Sequence, residues 1–223
     1  MPRDAILGRR PDPLRVRHNC RIQGPIMNKQ QLVELLLQSL EHEKVGVEVY
    51  ENALQCAVLP DLQEEWGKYL DQTKTRVQIL EQVCDQFGLD TTRQSPGRDV
   101  VRSIGRTLVD AMQRAPAAGD PEAAQLVACE CVVIAETKDH LDWELLGKCA
   151  RKLTGEEGRV LLAATEQVED EEDEPLCHSK GWCRELWLKS RGLRAVPPPP
   201  EEQLDVKTAV GAARAEQAAH KAR

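Results

Sequence analysis

The sequence is poor in aromatic residues: four tryptophans, two tyrosines and one phenylalanine make up only 3% of its 223 positions. β-Branched and aromatic residues are the ones that fill strands, so their scarcity beside abundant Leu, Ala, Glu, Gln and Lys favours helices. No segment alternates apolar and polar residues with a period of two over a useful length. We therefore predict an all-α protein.

Other absences bear on function. No apolar run approaches the roughly 20 residues that span a bilayer, so we expect no membrane segment. Residues 1–10 lack the apolar centre of an export signal, and we expect a cytoplasmic protein. A formal net charge of −7 argues against binding to nucleic acid. The chain contains no GxSxG, P-loop or HExxH motif, which are common signatures of hydrolases and nucleotide-binding enzymes.

The eight cysteines include no CxxC pair. In a chain without an export signal we expect reduced thiols, most of them acting as small buried hydrophobic residues. Cys177, His178 and Cys183 have the chemistry of zinc ligands, but no second ligand pair lies nearby in the sequence.

Capping signals and apolar stripes of helical period divide the chain into helices. The segment Asn28-Lys-Gln-Gln has the form of a capping box and predicts a helix that runs to about Ala57. A second capping signal at Pro60–Glu64 predicts a helix that ends at Phe87-Gly88. Because only about three residues separate these two helices, we expect them to form an antiparallel hairpin.

The rest of the chain continues this pattern. A Ser-Pro cap predicts a shorter helix over about 95–118, and an Asp-Pro cap predicts a long helix over about 120–153. A further helix over 154–190 is expected to bend at Pro175, because proline removes a helical hydrogen bond. The predicted divisions are a disordered extension at 1–26, a helical bundle at 27–193, and a Pro-rich linker with a C-terminal tail at 194–223.

Several ionisable residues fall inside apolar stripes, where an unpaired charge is costly. Glu43 lies among apolar neighbours on its own helix face, and Glu130 interrupts the otherwise apolar run Leu126–Ile134. Glu136 and His140 stand one helical turn apart and project together. Carboxylates and imidazoles on facing helices suit iron, manganese or zinc. With three residues of the last long helix, the candidate metal ligands are Glu43, Glu130, Glu136, His140, Glu171, Glu174 and His178.

Each of these patterns has a second interpretation. The segment Val168–Pro175 is rich in acidic residues, and such a run is typical of a solvated helix face. A lone helical histidine is more often a core or surface residue than a metal ligand. Glu43 or Glu130 could pair with a buried cation instead of a metal ion, and Arg76 is the obvious partner.

The order of a long hairpin, a short helix and a second long hairpin resembles the ferritin-like superfamily. The segment Gln72-Thr-Lys-Thr-Arg76, with Leu80-Glu81 and Phe87-Gly88 after it, is similar in position to a Glu-Thr-x-x-His segment of a bacterial, stress-associated ferritin-like family. The likeness covers about 29–193. It implies an antiparallel four-helix bundle with a short extra helix between the two hairpins, and di-iron members of this type hold their metals with Glu and His from all four helices.

Two functions follow from this resemblance. In the first, the protein binds metal ions at a di-iron or single-metal site, with iron expected and manganese or zinc as alternatives, and it serves oxidative-stress defence or iron handling. However, Gln72 and Arg76 stand where the family has Glu and His, and a permanently charged guanidinium repels a cation. The alternative is therefore a metal-free ferritin-like scaffold that acts as a structural or interaction protein, as a possible homodimer. Whether the protein is an enzyme is left open.

Overall fold

The computed structural model describes residues 27–169 and 173–222. Throughout these residues the regular elements are all helices, which confirms the all-α prediction. None of the described helices combines the length and the apolar character that crossing a membrane requires. The predicted extension at 1–26 and the candidate ligand Glu171 lie outside the described residues.

Most of the described chain lies in long helices joined by short turns. In chain order the helices are α1 (Lys29–Cys56), α2 (Pro60–Gln86), α3 (Pro96–Arg114), α4 (Pro121–Ala150), α5 (Gly155–Glu169), α6 (Asp173–Ser190), α7 (Pro200–Gln203) and α8 (Ala209–Ala222). A 3-10 turn at Ala115–Ala118 follows α3, so this helix ends one turn earlier than the sequence predicts.

Capping side chains begin α1, α3 and α4, as the sequence predicts. The Asn28 side-chain oxygen accepts hydrogen bonds from the backbone amides of Gln30 and Gln31 at 3.0 and 3.3 Å. Ser95 and Asp120 accept equivalent bonds at the start of α3 and α4. Each of these side chains satisfies amides that the first helical turn leaves without a helical partner.

α2 begins at Pro60, where the sequence predicts, but without a side-chain cap. Its N-cap is Leu59, which makes no side-chain hydrogen bond, so the predicted capping interaction was wrong although the predicted start was right. Pro60 opens the helix instead, because proline has no amide hydrogen to satisfy and its φ already suits a first turn. The end of α2 follows the prediction, since Gly88 adopts the left-handed conformation with φ of +63°.

α1 packs against α2, α3 and α4, and α4 in turn packs against α5 and α6. One apolar cluster surrounds Tyr50 and Trp66, and a second surrounds Leu80 and Trp143. Burial of this apolar surface is the main force that holds the helices together. On α1, α2 and α4, buried ionisable residues lie between the segments that supply the two clusters.

The chain beyond α6 folds back onto that helix. The Val196 amide donates to Glu185 Oε2 at 2.9 Å. The guanidinium of Arg184 donates to both carboxylate oxygens of Glu201 at 2.8 and 2.9 Å. Residues 196–206, which the sequence suggests are linker and tail, therefore cover part of α6. The domain division itself stays a prediction.

The last long segment is described to Glu169 and again from Asp173. Pro175 lies in α6, two residues after the first described residue of that helix, Asp173. The bend that we expect at Pro175 stays a prediction, because residues 170–172, which precede α6, lie outside the described residues.

Candidate metal centre

Two of the predicted metal ligands, Glu43 and Glu136, meet in the interior between α1, α2 and α4. Tyr50 donates its hydroxyl hydrogen to Glu136 Oε1 at 2.7 Å, and the Trp143 indole donates to Glu43 Oε1 at 2.6 Å. The third carboxylate of this group, Asp139, pairs with the guanidinium of Arg76. We call the group the Arg76 network, and its members are Glu43, Tyr50, Arg76, Glu136, Asp139 and Trp143.

Arg76 is buried, and its Nη1 donates to Asp139 Oδ2 at 2.9 Å. The sequence offers Arg76 as the partner of Glu43 or Glu130; in the structure its Nη1 is paired with Asp139, and the charge of Glu43 also acts on it. Burial alone would lower the pKa of Arg76, and the charges of Asp139, Glu43 and Glu136 raise it instead. The guanidinium therefore carries its charge permanently in the interior.

The same surroundings change the acids of the network. Burial, with the charge of Asp139, raises the pKa of Glu43 well above its ordinary value, against the opposing effect of Arg76. Burial and Asp139 likewise raise the pKa of Glu136, to about 7. Glu43 and Glu136 therefore hold a proton more strongly than exposed carboxyl groups do, while Asp139 is paired with Arg76.

The Arg76 network does not fit a di-iron centre. A metal ion there would share the interior with a fixed guanidinium charge, which repels cations, and the strongest carboxylate partner is already engaged by Arg76. The network instead balances the charge of buried carboxylates with a side chain of the protein.

The structure places two other predicted ligands away from this interior. Glu130 is exposed, and its carboxylate accepts a hydrogen bond from the Trp187 indole at 3.1 Å. His140 is about one-third exposed, and its Nδ1 lies 3.1 Å from the Asp173 carboxylate. Glu136 and His140 thus share a helix face, as the spacing indicates, but they contact different partners.

The remaining described ligands, Glu174 and His178 of α6, meet Glu65 of α2. One potential ligand atom from each of these three residues lies within 4.8 Å of the other two. His178 Nδ1 lies 2.6 Å from Glu65 Oε1. Tyr69 joins them, since its hydroxyl donates to Glu65 and lies 3.0 Å from His178 Nδ1. We call Glu65, Tyr69, Glu174 and His178 the Glu65 cluster.

The imidazole of His178 is held in a defined orientation. Its Nε2 lies 3.0 Å from the backbone carbonyl oxygen of Val206. Because a carbonyl oxygen only accepts, Nε2 carries a hydrogen and donates it. Nδ1 then faces Glu65 and Tyr69. A hydrogen bond from the far nitrogen to a backbone carbonyl is the arrangement that orients metal-binding histidines.

Glu174 and His178 of the Glu65 cluster are buried, and two partly exposed lysines lie between Glu174 and solvent. Glu174 and His178 are each 2% exposed. Lys68 forms an ion pair with Glu174, and Lys207 lies 3.8 Å from its second oxygen; these lysine side chains are 46% and 49% exposed. Both ammonium groups can therefore return to water if Glu174 takes another cation as its partner.

Hydrogen bonding also keeps a negative charge on Glu65. Burial alone would raise the pKa of this carboxyl, but hydrogen bonds from His178 and Tyr69 lower it. A carboxylate that is already ionised is ready to bind a cation without first losing a proton.

Sequence reasoning missed Asp139, Glu65 and Tyr69. Asp139 could have been found, because it stands three residues after Glu136 and four before Trp143, on the buried side of α4. Glu65 and Tyr69 also stand one turn apart on α2. Their contact with His178 cannot be predicted from the local sequence, because 113 positions separate Glu65 from His178.

No protein-family model, curated protein or solved structure matches this chain. Function therefore has to be inferred from the geometry of the described side chains.

Proposed function

We propose that this protein binds one first-row transition metal ion at the Glu65 cluster. The observation that carries the proposal is the convergence of Glu65, Glu174 and His178 within 4.8 Å. Two carboxylates and an imidazole form a donor set suited to iron, manganese or zinc. The backbone carbonyl of Val206 accepts a hydrogen bond from His178 Nε2 and so fixes the orientation of the imidazole. Metal-binding histidines usually have a hydrogen-bond partner of this kind on the nitrogen that does not bind the metal.

A ferritin-like four-helix bundle is part of the same proposal. The long helices α1, α2 and α4, with α5 and α6 as the fourth rod and α3 between the hairpins, have the order expected of that fold. A single-metal protein of this type would take part in iron handling or in defence against oxidative stress. A homodimer remains the expected assembly.

The test is metal content before and after loss of a ligand. We expect the purified protein, after incubation with iron, manganese or zinc and gel filtration, to retain about one equivalent of at least one metal by elemental analysis. His178→Ala should abolish this retention. His140→Ala is the matched control, because it removes a helical imidazole that contacts Asp173 and not the Glu65 cluster.

Thermal unfolding supplies a second measurement. A ligand that binds only the native state raises its stability, so metal should raise the Tm of the wild type and of His140→Ala but not of His178→Ala. Loss of metal in His140→Ala with retention in His178→Ala would contradict the assignment of the site.

A metal-free scaffold is the second candidate, and Arg76 favours it. A guanidinium that already balances the interior carboxylates leaves the bundle stable without metal. In that case Nδ1 of His178 carries a proton and forms an ion pair with Glu65. A wild-type protein that retains no metal and shows no shift of Tm with any of the three ions would establish this alternative.

A further inference from the structure

Tyr69 lies at the same centre as the three proposed ligands. Its side chain is 1% exposed, its hydroxyl donates to Glu65, and its oxygen lies 3.0 Å from His178 Nδ1. The phenol oxygen, the imidazole nitrogen and the carboxylate oxygen thus form a triangle of close contacts. A phenolic hydrogen can serve only one contact of that triangle at a time.

The size of this triangle suits a shared metal ion. Donor atoms that each lie 2.0–2.2 Å from one first-row metal are separated by about 3 Å from one another. The nitrogen of His178 lies 2.6 Å from Glu65 Oε1 and 3.0 Å from the Tyr69 oxygen. Small side-chain adjustments therefore suffice to place all three atoms around one ion.

The net charge of the proposed ligands favours a trivalent ion. Glu65 and Glu174 supply two negative charges, and Tyr69 would supply a third as a phenolate. Lys68 and Lys207 balance Glu174 in the metal-free protein. Once both lysines have turned to water, a trivalent cation balances the three anionic donors together with a neutral His178. The phenolate is a hard anionic oxygen donor, and such donors favour hard cations.

We propose that Tyr69 is a phenolate ligand and that the site takes ferric iron; this inference rests on the proposed metal-binding function. On binding, the O–H bond of Tyr69 and the Nδ1–H bond of His178 both break, and the two protons leave to solvent, so His178 is neutral when its Nδ1 binds the ion. The phenolate oxygen then donates an electron pair to Fe³⁺. Iron keeps its oxidation state in this step, so no oxidant or reductant takes part.

The experiment is ferric loading followed by visible spectroscopy. The wild-type protein is titrated with ferric nitrilotriacetate, desalted, and measured for iron content and absorption. A phenolate bound to Fe³⁺ produces a visible charge-transfer band, which carboxylates and imidazoles alone do not. We expect a coloured protein with about one iron per chain.

Tyr50→Phe is the matched control for Tyr69→Phe. The chain contains only these two tyrosines, and their ring centroids lie 6.1 Å apart, but the Tyr50 hydroxyl donates to Glu136 in the Arg76 network. We expect Tyr69→Phe to lose the band and to bind Fe³⁺ about 10- to 100-fold more weakly, a loss already typical when an outer-shell partner of a metal ligand is removed. Tyr50→Phe should keep both the band and the affinity.

The outcomes separate this inference from the proposed function. Stoichiometric iron without a visible band, or a band that survives Tyr69→Phe, would overturn the role of Tyr69 and leave the metal site standing. A wild-type protein that retains no iron, manganese or zinc would overturn both. Zinc retention by Tyr69→Phe, with an unchanged far-UV circular dichroism spectrum, would show that the variant folds and keeps the other ligands.

Discussion

At the scale of single residues, Arg76 determines the charge balance of the interior between α1, α2 and α4. Its guanidinium pairs with Asp139 at 2.9 Å while Glu43 and Glu136 lie in the same network. Buried ion pairs of this kind add little net stability compared with apolar residues, but removal of one partner leaves the other uncompensated. Arg76 therefore acts as the internal counter-ion of the carboxylates in the Arg76 network.

Arg76→Met should destabilise the protein by about 3–5 kcal/mol, because it leaves the buried Asp139 carboxylate without its partner. Urea unfolding followed by circular dichroism measures this loss. Adding Asp139→Leu to Arg76→Met should recover much of it, since no charge then needs a partner. Arg114→Met is the control, because Arg114 and Asp110 are 82% and 60% exposed, and it should cause no measurable change.

The acid Glu136 should make stability depend on pH. Burial and Asp139 raise its folded-state pKa from an ordinary 4.5 to about 7. The folded state therefore binds a proton that the unfolded state releases between these values, so its contribution is fully present below pH 4.5 and is lost as the pH rises to about 7. The full difference corresponds to about 3 kcal/mol.

Glu136→Gln should remove this dependence, because glutamine can still accept the hydrogen bond from Tyr50 but does not ionise. Urea unfolding between pH 4.5 and 7.5 should show the variant gaining stability relative to wild type as the pH rises. Glu130→Gln, on the exposed side of α4, should follow the wild-type curve. Parallel curves for Glu136→Gln and wild type would contradict the shifted pKa.

At the scale of helices, the contact between α1 and α3 depends on Gly105. A Cβ atom added there would lie 2.0 Å from Val45 Cγ1, so the two helices approach too closely for a larger residue. Gly67 is also helical, but a Cβ atom added to it meets nothing within 4 Å. The two helical glycines therefore differ in their surroundings: Gly105 has no room for a side chain, whereas Gly67 has.

Gly105→Ala should cost about 1–3 kcal/mol through overpacking, because the β-branched Val45 has little rotamer freedom in a helix. Gly67→Ala should instead stabilise the protein by up to about 1 kcal/mol, since alanine is the better helix former. Thermal and urea unfolding measure both changes. If adding Val45→Ala does not restore the stability lost in Gly105→Ala, the close contact between α1 and α3 is not the cause of that loss.

The helices were largely predictable from sequence because their signals are local. Capping by Asn28, Ser95 and Asp120 depends on residues within one turn, and apolar stripes report burial directly. The N-cap of α2 could not be predicted in this way, because Leu59 has no side-chain hydrogen-bond acceptor. The burial of Glu43 was also predictable, since its neighbours on the same helix face are apolar.

At the scale of the whole molecule, the site was harder to predict because it depends on contacts between distant segments. Helical spacing places Glu136 and His140 on one face, but it does not determine which neighbouring helix each side chain reaches. His140 reaches Asp173 at the start of α6, whereas Glu136 meets Tyr50 of α1. Glu65 of α2 and His178 of α6 come into contact only in the folded chain, 113 positions apart in the sequence.

The C-terminal segment completes this arrangement, and its anchor to α6 is Glu201. This carboxylate is 2% exposed and accepts two hydrogen bonds from Arg184. Farther along the segment, Val206 receives the hydrogen bond from His178 Nε2. The orientation of a proposed ligand therefore depends on whether the segment 196–207 stays on α6.

Glu201→Ala should free this segment, because it removes both hydrogen bonds to Arg184. Amide hydrogen exchange should become faster over 196–207 while protection in α1 and α2 is unchanged, as expected for local opening. Metal affinity should fall with it, because His178 loses its fixed orientation. Glu216→Ala, on the exposed face of α8, should alter neither measurement. Faster exchange with unchanged metal affinity would mean that Val206 does not orient the imidazole, and that the segment only covers α6.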